Sequence, residues 1–116
     1  MDKIIHQIPV KAKYFNLLKI GEKIIELRLW DHHQSKIKVG DEIIFCDSLN
    51  RADHFKASVV ALHRAQTFEK LCDTIDPRHA GFAEKRELVM TMLQFYSLGR
   101  QTQLGVVGIQ VKKVSA

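Results

Sequence analysis

Three side chains with complementary chemistry crowd a six-residue stretch, Lys23-Ile24-Ile25-Glu26-Leu27-Arg28. In an extended segment Glu26 and Arg28 fall on one face, about 7 Å apart. A guanidinium held there can grip a phosphate or the acceptor edge of a base. The neighbouring carboxylate can orient it, or accept from an exocyclic amine. Lys23 adds a second cation. The plainer reading of such a cluster is a solvated surface ion pair, contributing under about 1 kcal/mol.

Other groups invite the same comparison. Trp30 shares the face of Glu26 and Arg28 and can stack on a base, a contact of ~1–3 kcal/mol, or serve as core. Tyr96 and Ser97 end a helical pattern. Their hydroxyls can face a cleft, or the ring can pack while Ser97 caps a helix end. Asn50 and Arg51 lie in a polar stretch that reads as a solvated loop, with a cleft wall as the alternative. Asp31-His32-His33 suggests metal ligation, but adjacent histidines on an extended segment point apart. No H-x-x-x-H or C-x-x-C spacing exists, so no metal and no cofactor is expected. G-x-S-x-G is absent as well. Cys46, mid-strand beside Phe45, reads as a buried inert thiol. Neither it nor Cys72 suggests a disulfide framework.

These groups need a scaffold. A chain of 116 residues buries roughly two-thirds of the surface its unfolded form exposes, enough for one core without staples. One domain over residues 1–116 is expected. Apolar residues make up 46% and charged residues 27%, which argues against disorder. No apolar run approaches the ~20 residues that span a membrane, and the first residues are too short an apolar run for a signal peptide. A cytoplasmic protein with no membrane contact is the expectation. The net charge of +5 favours polyanionic partners. The basic residues come as pairs and singles, so only folding can assemble a patch.

Along the chain, residues 2–8 read as a strand. Residues 10–20 read as a helix on the spacing of Val10, Tyr14, Leu17 and Leu18, with Gly21 as its stop. Residues 23–31 alternate as a strand, with Ile25, Leu27 and Leu29 on one face and Ile24, Glu26, Arg28 and Trp30 on the other. Gly40-Asp41 turns into a strand over 42–46, residues 48–54 form a loop, and 55–65 alternate again with Phe55, Ala57, Val59 and Ala61 together. Thr67 caps a short helix through 74. A helix covers 83–96, with Val89, Met92, Leu93 and Tyr96 on one stripe. A loop over 97–103 precedes a last strand over 104–114. Few short strands in so small a domain favour a closed or nearly closed barrel with helices packed on it, since closure removes edges.

Three blocks carry a family resemblance. Gly21-Glu22-Lys23-Ile24-Ile25-Glu26-Leu27-Arg28-Leu29 is similar to the G-x-K-x-x-E-x-R segment of the ASCH (activating signal cointegrator homology) family, a branch of the PUA-like superfamily. Lys38-Val39-Gly40-Asp41-Glu42-Ile43-Ile44-Phe45 resembles its K-x-G-D-x-I-x-F turn and strand. Phe95-Tyr96-Ser97, followed by Gly105-Val106-Val107-Gly108-Ile109, resembles its closing helix end and strand. The blocks fall in the family's order and span nearly the whole chain. The resemblance implies an α+β fold: a PUA-like β-barrel of about five to six strands with surrounding helices and a cleft between barrel and helices. It places Lys23, Glu26, Arg28, Tyr96 and Ser97 in that cleft and implies a ligand that is RNA or a nucleotide.

Some short members of the family hydrolyse N4-acetylcytidine through a segment reading G-x-K-x-x-T-x-R. Lys23 matches their lysine, but Glu26 stands where their threonine would be, and a carboxylate does not replace a hydroxyl nucleophile. If the chain is an enzyme, the resemblance implies a metal-independent hydrolase acting on RNA or a modified nucleoside. It would be amidohydrolase-like or nuclease-like, with Lys23 and Glu26 as catalytic candidates and Glu26 as a general base on water. The first expectation is an RNA- or nucleotide-binding module.

Overall fold

The computed structural model describes residues 4–114. Five strands form one mixed sheet: β1 (Ile5–Val10), β2 (Ile25–Leu29), β3 (Glu42–Asp47), β4 (Asn50–Ala65) and β5 (Val106–Lys113). Their order across the sheet is β1-β3-β4-β5-β2. β1 and β3 are parallel, and the other pairings are antiparallel. The sheet curls into a half-barrel, the α+β architecture consistent with a PUA-like barrel. Its two edge strands, β1 and β2, form no ladder with each other, so the wall has a seam between them.

Curling has a local cause on β4. The register against β5 shifts between Val59 and Ala61. Such a bulge adds a residue to one strand and sharpens its twist. Val59 then pairs with Val111 but Leu62 pairs with Ile109. The inner face therefore runs Phe55, Ala57, Val59, Leu62, and the alternation expected through Ala61 breaks at the extra residue, Val60, which is exposed.

Four helices accompany the sheet: α1 (Ala12–Ile20), α2 (Phe68–Leu71), α3 (Lys85–Phe95) and α4 (Leu98–Leu104). Inside the curl, Ile8, Ile43, Phe45, Val107 and Ile109 pack with Phe15 and Leu18 of α1. Outside it, Ile25, Leu27 and Leu29 pack with Phe68, Leu71, Leu88 and Met92 of α2 and α3. β2 is thus buried on both faces, and its alternation sorts residues between two cores. None of the helices is long and apolar enough to cross a membrane among the described residues.

Several boundaries differ from the sequence expectation. The first strand runs to Val10, which pairs with Asp47, so α1 begins two residues later than the apolar spacing suggests. Residues 2 and 3 of the expected strand lie outside the described residues. The expected loop over 48–54 is mostly strand: a tight turn at Ser48-Leu49 is closed by Leu49 N–H donating to Asp47 Oδ1, and β4 starts at Asn50. The expected loop over 97–103 is α4, capped by the Ser97 hydroxyl accepting from Arg100 N–H. On α3, Leu88 and Met92 are the buried pair, while Leu93 is exposed. The Thr67 cap forms as expected, accepting from Lys70 N–H. Gly21 takes the left-handed conformation that ends α1.

Candidate functional site

Glu26 and Arg28 pair across β2 and β5 with Ile109 and Val107, whose side chains belong to the inner core. Both charged residues therefore point into the half-barrel, at its open seam. Glu26 is only 5% exposed. Its Oε2 accepts from Arg28 Nε at 2.7 Å, and its Oε1 lies 3.4 Å from Lys23 Nζ. One carboxylate thus stands between two cations.

Lys23 is 3% exposed. Its ammonium donates to the carbonyls of Ile25 (2.7 Å) and Ala80 (2.8 Å) and faces Glu26 with the remaining N–H. The turn Pro77–Ala80 supplies that second carbonyl, and it is tied to β2 by Ile24 N–H donating to the His79 carbonyl. Gly81 follows with φ +91°, and a Cβ there would come within 3.3 Å of the Lys23 stem. A glycine both adopts the conformation and lets the turn close over the lysine.

Arg28 spans the seam. Its Nη2 donates to the Pro9 carbonyl of β1 at 2.8 Å, while its Nε holds Glu26 on β2. A guanidinium carries five N–H donors. Those two bonds fix its plane and leave three for a ligand. Its side chain is 23% exposed.

Charge and burial set the protonation states. Burial works against the ionised form of Glu26, but the Arg28 and Lys23 charges outweigh it and hold the carboxyl below its usual range. Burial pulls Lys23 below the ordinary lysine value, and Glu26 offsets part of that. Arg28 is also opposed by burial, yet Glu26 carries its affinity for a proton above the usual value. The triad holds two positive charges and one negative, leaving one net positive charge at the seam.

A cavity of about 300 Å³ opens beside it. Glu26 and Arg28 form one wall, and Pro9, Lys11 and Tyr14 form the wall from β1 and α1. Phe82 and the end of α3, through Met92, Phe95 and Tyr96, complete it. Lys11 Nζ stands 4.4 Å from the centre of the Phe95 ring, so a third cation, beside Lys23 and Arg28, sits with an aromatic face in this lining. The Tyr96 ring stacks on Phe68 at 6.0 Å. Its carbonyl accepts from Gln101 Nε2, and Gln101 Oε1 accepts from Phe68 N–H. Gln101 is buried and clamps the end of α3 to the start of α2. Burial raises the phenol pKa of both Tyr96 and Tyr14; near Tyr96 the Arg28 charge opposes that, and near Tyr14 Glu26 and Glu87 add to it.

The folded chain gathers Lys23, Glu26, Arg28 and Tyr96 in this cavity lining. It does not bring Ser97 there: that hydroxyl is engaged at the start of α4. Trp30 is half-buried against the inner core with the Arg64 guanidinium 4.3 Å over its ring, and it does not line this cavity. Asn50 and Arg51 are exposed at the start of β4. Cys46 is buried and Cys72 partly so. Among the described residues no three His, Cys, Asp or Glu side chains converge as a metal site. Sequence reasoning did not assign Pro9, Lys11, Tyr14, Phe82 and Phe95 to the site. The one local signal is Tyr14, an amphipathic ring on the apolar stripe of α1.

The cavity thus combines aromatic walls with the cations of Lys11, Lys23 and Arg28. A family model described as the ASCH domain matches residues 8–115. The chain belongs to the ASCH domain family. Among solved structures, the crystal structure of hypothetical protein PH0355 is 27% identical and superposes with a TM-score of 0.83, covering 96% of this chain and 100% of that one. The solution NMR structure of protein PF0455 from Pyrococcus furiosus has the same fold at 22% identity, with a TM-score of 0.72 and coverage of 99% and 100%. No curated protein matches the chain. The ASCH half-barrel thus presents, in this chain, a seam spanned by a single arginine.

Proposed function

We propose that this ASCH domain is an RNA- or nucleotide-binding module whose ligand is read by Arg28. The observation that carries the proposal is the guanidinium itself. It is fixed by a buried carboxylate and a backbone carbonyl, with donors left over beside an aromatic-walled cavity. A preoriented fork matches the acceptor pair on a base edge or two phosphate oxygens. Tyr96, Tyr14 and Phe95 offer faces for a base, a contact of ~1–3 kcal/mol per stacked ring. Lys11, exposed at the start of α1, is placed for a phosphate.

In this proposal Glu26 orients Arg28, and Lys23 holds Glu26, since the Lys23 donors are engaged within the protein. Ser97 acts from outside the cavity, by starting the helix whose Gln101 fixes Tyr96. The general association of the ASCH family with RNA binding and the basic charge support a polyanionic ligand. The hydrolytic alternative has less support. A general base needs proton affinity near the working pH, and Glu26 is held ionised by two cations with both oxygens engaged.

Fluorescence anisotropy with short RNAs at several salt concentrations tests the proposal. Arg28→Ala should weaken binding at least tenfold and Lys112→Ala, exposed near the end of β5, by less than twofold. Equal losses would leave only diffuse charge attraction. Product formation from a modified nucleoside by the wild type, abolished in Glu26→Gln, would favour the hydrolase.

A further inference from the structure

The seam has a second side. Past Pro9 and Arg28, β1 and the segment after β2 enclose another space of about 340 Å³. Pro9 and Arg28 line both spaces. The arginine that spans the seam is therefore a shared wall.

The two spaces differ in chemistry. The first has four aromatic rings, from Tyr14, Phe82, Phe95 and Tyr96. The second has no phenyl or phenol ring in its lining and no carboxylate. Its polar lining is rich in donors instead: the Lys36 ammonium, the imidazoles of His6 and His33, and the amides of Gln7 and Gln34. Ile8 and Ile37, both buried, supply its floor. Asp41, the carboxylate bonded to His6 at 2.9 Å, also accepts from Lys38 N–H and is not in the lining. An aromatic ring suits the first space and a multiply accepting anion the second, with a guanidinium between them.

A polynucleotide strand presents that alternation of ring and anion. A base within a duplex has both faces covered by its neighbours, and single strands are the form in which bases splay into side-chain pockets. A free nucleoside fills only the first space. We propose that the second space seats the phosphate of an adjoining nucleotide, so that the ligand is a single-stranded oligonucleotide threaded across the β1–β2 seam. The base enters the aromatic cavity, and the backbone passes over Arg28 to Lys36, His33 and Gln34. This inference rests on the binding reading above and adds the substrate class.

Isothermal titration separates the two. The ligands are the four ribonucleoside monophosphates and a random-sequence five-nucleotide RNA. The proteins are wild type, His33→Ala/Lys36→Ala, Arg28→Ala and, as a control for diffuse charge, Lys112→Ala. His33 and Lys36 are exposed, so their replacement leaves the cores intact. The RNA should bind at least tenfold tighter than any monophosphate. The double variant should lose about tenfold for RNA, with a salt slope shallower by about one, and stay within twofold for monophosphates. Equal loss for both ligands, no loss for RNA, or monophosphates as tight as RNA would overturn the threading. Wild type binding neither ligand, or Arg28→Ala binding both normally, would overturn the parent reading as well.

Discussion

Replacing Glu26 by glutamine removes the one negative charge between the cations of Lys23 and Arg28. Lys23, 3% exposed, would keep only the Ile25 and Ala80 carbonyls as partners. Removing one member of a buried ion pair costs about 3–5 kcal/mol, because the other charge stays uncompensated. Two features place this case at the lower end. Arg28 retains some solvent, and a glutamine oxygen can still accept from its Nε. The amide nitrogen, however, would face the Lys23 ammonium as donor against donor. A loss of about 3 kcal/mol follows, or roughly 12 °C in Tm at about 4 °C per kcal/mol for a chain of this size. Urea unfolding, followed through the single tryptophan, measures it.

Two controls make this result specific. Lys23→Met in the Glu26→Gln background removes the stranded cation, so the double variant should be more stable than the sum of the single losses predicts, by about 1–3 kcal/mol. The pH dependence supplies the second. Folded Glu26 binds its proton less tightly than an ordinary glutamate. Below the ordinary glutamate value the unfolded chain therefore holds more protons, and this contribution to stability is lost as pH falls toward the folded value. The gap between wild type and Glu26→Gln should narrow across that acid range. A cost below about 0.5 kcal/mol, strict additivity with Lys23→Met, or a gap unchanged by acid would refute the coupled triad.

Other predictions are simpler. The chain has two tyrosines, and both phenols are raised by burial, so alkaline titration at 295 nm should show no tyrosinate until the pH passes the ordinary tyrosine value. Absorbance rising earlier would mean that one ring is not in the environment described. As the unfolded chain ionises first there, stability should also fall as pH rises past that value. Gln101→Ala leaves the buried Phe68 N–H without its acceptor and should cost about 1–3 kcal/mol. Because the same side chain fixes the Tyr96 carbonyl, it should also weaken RNA binding when measured under fully folded conditions. A neutral substitution would remove Gln101 as the clamp.

Much of this was legible in sequence where local pattern decides the outcome. The period of β2 sorted Ile25, Leu27 and Leu29 from Glu26 and Arg28, and the two faces do enter different cores. α4 was hidden because it is short and polar, has Gly99 in its first turn, and carries no apolar stripe. The start of β4 was hidden for a related reason: Asn50 to Ala52 are exposed, so no alternation marks the strand. The bulge at Val60 leaves no signature in residue type. At the site, the spacing of Lys23, Glu26 and Arg28 suggested a cluster, but not its division of labour. That depends on the Ala80 and Pro9 carbonyls, which only the tertiary fold brings to β2. The aromatic walls come from three separated segments and are assembled in the same way.

The most direct test of the central claim watches the Arg28 guanidinium itself. Its Nε–H, bonded to a buried carboxylate, should give a slowly exchanging resonance at neutral pH in ¹⁵N-labelled protein, assignable by its loss in Arg28→Lys. Titration with a five-nucleotide RNA should shift that resonance saturably, together with backbone amides around Tyr14 and Tyr96. A resonance that stays fixed while RNA binds elsewhere would contradict the account.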